Sequence, residues 1–322
     1  MSNVTIRPLA EGEISQFLSY DQPPVPGVGV EAQRSYVEMI ERNEYRPGWI
    51  WVAERDGRVV ARAAWWAGPD DARPWSLDWL DPGVEPDAVE IGARLVAAGL
   101  AKIRDSDDSG SPVGETPQMH LFLPVGWRDI PAARAAADSR LAAAEAGGFT
   151  PFIERFGYRW ARSDGLPASS GRLTFRQVPD DDELVEVLRR VLVGTFDGHS
   201  QHDIEEHGLE KAAELQLEGL RWFPSPREWW RLGLTADGDV AGLIVPARNY
   251  MMPTIGYLGV VPEQRGHGYV GDLLAEQTRF LASVMGPDEE IGADTDFGNA
   301  PMAAAFARAG FRHTQTRIVL TA

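Results

Sequence analysis

The sequence predicts a mixed α/β (α+β) protein of two tandem domains, each a sheet covered by helices. Three observations carry that prediction. The 322 residues suit two domains of about 150 each better than one. Short β-prone runs alternate with helical periodicities, a pattern that needs helices packed on a sheet. Landmarks also recur in the same order in both halves, as an internal duplication would leave them.

The landmarks are specific. Each half opens with a short strand and an acidic turn, Val4-Thr5-Ile6-Arg7 before Glu11 and Leu173-Thr174-Phe175-Arg176 before Asp180-Asp181-Asp182. Each continues to a hairpin turning on Asp-Gly, at Asp56-Gly57 and Asp237-Gly238, where glycine supplies the positive φ of a tight turn. Each closes with an alanine-rich helix stopped by glycine and followed by phenylalanine, at 141–149 and 302–311. The polar, turn-forming segment 162–171 between them reads as the linker, giving expected domains of 1–165 and 172–322. In the second half Leu184, Val187, Leu188, Val191 and Leu192 have helical spacing, and Leu209, Ala212, Ala213, Leu217 and Leu220 continue it in a second helix.

Composition narrows the function. With 43% hydrophobic and 25% charged residues the chain can bury an ordinary core. No apolar run approaches the ~20 residues of a membrane span, and no export signal precedes the first strand, so a cytoplasmic protein without a membrane partner is expected. The absence of cysteine excludes disulfides and thiolate chemistry. A net charge of −17 with no basic stripe argues against a nucleic-acid partner. The same acidity either favours cationic small molecules or serves solubility alone. A monomer or homodimer is expected.

The informative segment runs from Ile255 to Leu274. A β-prone stretch ends at Pro262, a loop with Gly266 and Gly268 follows, and Val270, Leu273, Leu274, Thr278 and Leu281 then run at helical spacing. Strand, glycine loop and helix N-terminus together suit a pyrophosphate, because backbone N–H groups converge on the anion and the helix dipole favours it. Arg265 can add a charge-assisted bond. A plain turn before a surface helix is the competing reading. The loop is neither a dinucleotide fingerprint nor a P-loop.

Leu258-Gly259-Val260-Val261-Pro262-Glu263-Gln264-Arg265-Gly266-His267-Gly268-Tyr269-Val270 resembles the acetyl-CoA segment of GNAT acetyltransferases, with Val270 where that family has Gly or Ala. Farther on, Asp296-Phe297-Gly298-Asn299-Ala300-Pro301-Met302, then Phe306 and Gly310-Phe311, resembles the family's final strand, asparagine and helix. The layout resembles tandem members such as mycothiol synthase, with one intact and one worn domain. The resemblance implies two GNAT-like domains, each with a mixed, mostly antiparallel sheet flanked by helices. It implies acetyl-CoA as cosubstrate and transfer to a small amine by direct attack. A non-catalytic CoA-binding module and an O- or longer-chain acyltransferase are the alternatives. By position, the resemblance assigns the pantetheine to Leu258, Gly259 and Val260, with the Val260 N–H polarising the thioester. It assigns the pyrophosphate to Arg265, Gly266, His267, Gly268, Tyr269, Val270 and Gly271, with Asn299 near the cofactor.

The proton chemistry departs from the resemblance. The matching base position is Thr254 and the matching acid position is Phe306, neither of which can serve. Asp294 and Asp296, at i and i+2 on one strand face, are the substitute base candidates, because neighbouring carboxylates raise one pKa. Helix capping or backbone binding is the competing role. Tyr257 is an acid candidate or a core residue. His199, His202 and Asp203, in a stretch with three histidines and four acids (196–207), are candidates for acceptor binding. The spacing of His202 and His207 does not fit a zincin helix, and no metal is expected. In the first half the matching loop, Leu77–Ala88, has four acids and no Arg-Gly-x-Gly, so no CoA is expected there.

Overall fold

The computed structural model describes residues 4–30, 34–104 and 117–322. The chain divides into two compact units, residues 1–154 with 315–322, and residues 155–314.

The first unit begins with β1 (Thr5–Pro8) and two short helices, α1 (Ile14–Leu18) and α2 (Tyr36–Glu41). A meander follows, β2 (Ile50–Arg55), β3 (Arg58–Trp66) and β4 (Ser76–Asp81). Asp56 and Gly57 both have positive φ, so the β2–β3 connection is the two-residue turn that the Asp-Gly signal predicts. Then come α3 (Ala88–Arg104), β5 (Gln118–Leu123), α4 (Pro131–Ala146) and β6 (Thr150–Trp160). In β5 the buried Met119, Leu121 and Leu123 alternate with half-buried Gln118, His120 and Phe122, the period of a strand with one face in the core. Strands β1 to β4 pair antiparallel in sequence, and β4 pairs parallel to β5.

The second unit repeats this plan. It comprises β7 (Thr174–Gln177), α5 (Asp181–Leu192), α6 (Gly198–His207), α7 (Leu209–Arg221), β8 (Arg231–Leu234), β9 (Val240–Arg248) and β10 (Pro253–Val260). It continues with α8 (Tyr269–Val284), β11 (Ile291–Asp296), α9 (Ala300–Arg308) and the start of β12 (Arg312–Thr321). The five periodic apolar residues of α5 are all buried, and the Asp180 carboxylate caps it by accepting from the Glu183 N–H. Strands β7 to β10 are again an antiparallel meander, with β11 parallel to β10.

The unit boundaries differ from the expected domains of 1–165 and 172–322. In the first unit, Thr316–Thr321 of β12 pair antiparallel with β5. In the second, Arg155–Trp160 of β6 pair antiparallel with β11. Each sheet is thus completed by a strand from the end of the other half. The linker belongs wholly to the second unit and is strapped to α8. Arg162 donates to the carbonyls of Ala282 (2.6 Å) and Met285 (3.1 Å), Arg279 donates to Pro167 O (2.8 Å), and Ser170 bonds Asp272.

Candidate active site

The site of the second unit forms where β10 and β11 part. Their parallel pairing is recorded at Thr254 and Gly292, and toward Val260 the strands diverge. On the other edge β10 stays paired with β9, and the Val261 N–H donates to Ala241 O (3.1 Å). Antiparallel alternation then turns the backbone groups of Leu258 and Val260 away from β9 and into the gap. Gly259 is needed between them, since a Cβ there would run into Val191 of α5.

The loop after β10 is a row of donors. Gly266 (φ 82°) and Gly268 (φ 78°) are both left-handed, a conformation costly for any residue with a Cβ. Among the described residues, the N–H groups of Gly266, His267, Gly268, Tyr269 and Val270 bond to no backbone carbonyl, whereas Gly271 N–H closes a turn on Gly268 O (3.0 Å). Five open amides thus stand at the N-terminus of a 16-residue helix, an anion site by construction. Val270, the departure from the family pattern, turns its side chain into the core beneath α8 and leaves its amide outward.

Two arginines hold this loop, and only one was legible. The Arg265 guanidinium does not reach outward as expected. It donates to the carbonyls of Val191 (2.8 Å), Val193 (2.7 Å) and Val260 (3.2 Å), closing the C-terminal end of α5, where unpaired carbonyls carry the negative helix end. Its own N–H is spent on Pro262 O (3.2 Å). Arg172, unremarked in the sequence, donates to His267 O (2.8 Å), pairs with the buried Asp272 and lies over the Tyr269 ring (4.9 Å). Asn299 caps α9 by accepting from the Met302 N–H (3.2 Å). Phe306 is core.

The opposite sheet face collects the acceptor-side candidates. Asp296 is buried, accepts from the Gly198 N–H (2.6 Å) and pairs with Arg155 Nε (3.1 Å). Asp294 is exposed on the same strand face. Burial works against the Arg155 charge, but Asp294, Asp197 and Asp296 together raise its pKa. The Arg155 guanidinium beside Asp296 is a counter-charge that the reading of the two acids as a repelling pair did not contain. Arg155 comes from the end of the first half, so no local pattern near Asp294 announced it.

Asp197 caps α6, accepting from Ser200 N–H (2.9 Å) and Oγ (2.8 Å). Burial pushes its pKa up, but Arg155 and Ser200 win and hold it below the ordinary value. Tyr257 is half-buried, and its pKa is raised well above 10 by burial and by Asp197, so it stays a proton donor at neutral pH. Its hydroxyl makes no hydrogen bond among the described residues. His199 is half-buried beside Asp197. His202 points outward to Glu206 (3.5 Å), and burial raises the pKa of Asp203. Thr254 is buried with its hydroxyl on Gly292 O (3.1 Å). The structure therefore brings Tyr257, His199, Asp294 and Asp296 together around Arg155 and Asp197, and leaves His202 at the rim. No group of residues able to hold a metal occurs among those described. No helix among them is long and apolar enough to cross a membrane.

In the first unit the corresponding turn lies between β4 and α3, but two of its residues, Pro82 and Pro86, have no N–H. Asp81 is buried between Arg62 (2.8 Å) and Arg140 (2.5 Å), and Asp87 pairs with Arg55. The acids of this turn are therefore mostly neutralised, and Pro82 and Pro86 interrupt its amides, so it does not offer the unbroken run that the second unit has from Gly266 to Val270.

This sheet order, with its splayed parallel pair and glycine loop, is the GNAT fold in tandem. A GCN5-related N-acetyltransferase from Sphaerobacter thermophilus superposes with a TM-score of 0.59 at 17% identity, covering 98% of this chain and 94% of that one. A GCN5-related glucosamine N-acetyltransferase region of a fungal multi-domain GH3 β-N-acetylglucosaminidase gives 0.53 at 11% identity, covering 99% of this chain and 38% of that one. A tandem GNAT protein from the clavulanic acid biosynthesis pathway covers 99% and 98% at 17% identity, with a TM-score of 0.49. At these identities the likeness is one of fold. No protein-family model matches the chain, and no curated protein matches its sequence.

Proposed function

We propose that the second unit is a cytoplasmic acetyl-CoA-dependent N-acetyltransferase acting on a small cationic amine by direct attack. The observation that carries this reading is the row of open amides from Gly266 to Val270 at the head of α8, beside a strand whose Leu258 and Val260 backbone faces a gap. The cosubstrate supplies an activated acyl thioester. The amides suit its pyrophosphate, and the Val260 N–H suits the thioester oxygen as charge develops there. Tyr257 keeps its proton and is the donor for the departing thiolate. The acceptor attacks as the free amine, Asp294 is the exposed carboxylate that takes the proton released as the amide forms, and Asp296, held by Gly198 N–H and Arg155, is structural. His199 and Asp203 line the acceptor side, with His202 at its edge. The first unit takes no CoA, because Pro82 and Pro86 break the run of amides at its turn.

Calorimetric titration with acetyl-CoA, followed by thiol release across a panel of amines, tests the proposal. One site per chain and amine-dependent release of CoA are expected, with Tyr257→Phe lowering kcat about a hundredfold at unchanged CoA affinity. Two sites would overturn the reading of the first unit. Binding without thioester cleavage by any acceptor would support a non-catalytic CoA module, which the lost base and acid positions at Thr254 and Phe306 also favour.

A further inference from the structure

We infer that the first unit carries a second small-molecule site, built for an organic monoanion with an apolar body. It is a cavity of about 520 Å³ at the end of β4, bounded by the head of α3 and one flank of α4. That size lies within the range of small-ligand pockets. The walls are apolar, with Pro23, Pro24 and Val25 on one side, Val84 and Pro86 on another, and Ala136 on α4.

The floor carries the charge. Arg62, Arg140 and Asp81 all line the cavity, and their side chains are 13%, 11% and 7% exposed. Two guanidinium groups share one carboxylate, so the floor has one positive charge in excess. The Asp81 carboxylate is saturated by Arg62, Arg140 and the Trp79 indole N–H (3.1 Å). Arg62 gains partial compensation from the rings of Phe17 (4.6 Å), Tyr20 (4.7 Å) and Trp79 (5.3 Å). Among the described residues Arg140 has no ring partner, and beyond Asp81 it donates only to Ala136 O (3.1 Å), through Nη1. Its Nε and the Nη2 of Arg62 make no hydrogen bond among the described residues. A carboxylate is the planar acceptor that such donors fit. The 17-residue α3 opens at the same cavity and adds its positive end. Glu85, exposed at the rim, opposes a second negative charge, so a monoanion is favoured over a phosphate. This site is independent of the acetyl-transfer reading of the second unit.

The test is calorimetry of the full chain with 4-phenylbutyrate, its neutral amide and phenyl phosphate, in the presence and absence of excess acetyl-CoA. One site for 4-phenylbutyrate is expected, unaffected by acetyl-CoA and at least about tenfold weaker for the amide and the phosphate. Arg140→Gln is expected to weaken it about tenfold. Ala135→Trp, which places bulk on the exposed mouth while keeping both arginines, is expected to abolish it, and it decides the matter if Arg140→Gln does not fold. Absence of binding, equal binding of the amide, indifference to both substitutions, or displacement by acetyl-CoA would each overturn the inference.

Discussion

The two units share strand order, strand sense and even an irregularity. In each, the fourth strand bulges at one residue, Asp78 in β4 and Gly256 in β10. Counted from that bulge, Trp79 matches Tyr257, and Asp81 matches Gly259. At this last position the second unit keeps a glycine under α5, whereas the first has a carboxylate clamped by Arg62 and Arg140. Past it, one strand runs into a loop of open amides and the other into a turn with two prolines. The comparison teaches that the row of open amides depends on a few backbone positions, and that the same fold forms without it.

The largest effect should follow from breaking the first unit's substitute. Asp81→Ala would leave two buried guanidinium groups without their carboxylate, at a cost of about 3–5 kcal/mol. Urea unfolding followed by tryptophan fluorescence should show an early transition for this variant. An unchanged profile would mean that the clamp is not what holds the end of β4. Next comes Gly268→Val, which forces a branched residue into φ near 78° and moves the amides off their common focus. Acetyl-CoA affinity should fall about a hundredfold, and the melting temperature should drop by the few degrees that about 1–3 kcal/mol of backbone strain costs. An unaffected affinity would remove the loop from the cofactor site.

A smaller effect separates the two roles considered for Arg265. Because its guanidinium is bound to the carbonyls of Val191, Val193 and Val260, Arg265→Gln should cost stability, about 1–2 kcal/mol, before it costs CoA affinity. A large affinity loss at unchanged stability would restore the phosphate-binding role that the sequence suggested.

What the sequence disclosed and what it withheld follow one physical line. The Asp-Gly hairpins, the apolar faces of α5 and α8, and the strand, loop and helix around Gly266 and Gly268 are local patterns, written within a few residues. The fate of Arg155–Trp160 and Thr316–Thr321 is not local, because a strand's hydrogen-bonding partner is set by the whole sheet. For the same reason the Arg155 charge beside Asp296 was illegible, though both acids and their shared face were read. The family position of Arg265 suggested an outward guanidinium, and only the neighbouring end of α5 reveals where it goes. Arg172 lies two residues before β7 and is remote in sequence from the loop that it clamps.

The subtlest test concerns the bulge itself. At its matching position the second unit has Gly256, which cannot titrate. Asp78 of the first unit accepts from the Tyr45 hydroxyl (2.6 Å), and burial pushes its pKa up to about 8. A carboxyl whose pKa is raised on folding holds its proton more tightly in the native state. Its stabilising contribution is therefore complete below about pH 4 and is lost as pH rises toward 8. Between those limits the melting temperature of the wild type should fall by more than that of Asp78→Asn, which keeps the shape and an acceptor for Tyr45 but carries no titrating proton. Above pH 8 the asparagine variant should be the more stable of the two. Parallel pH profiles would show that Asp78 is ionised throughout, its charge met by Arg34 and Tyr45, and that the bulge position differs between the units in shape alone.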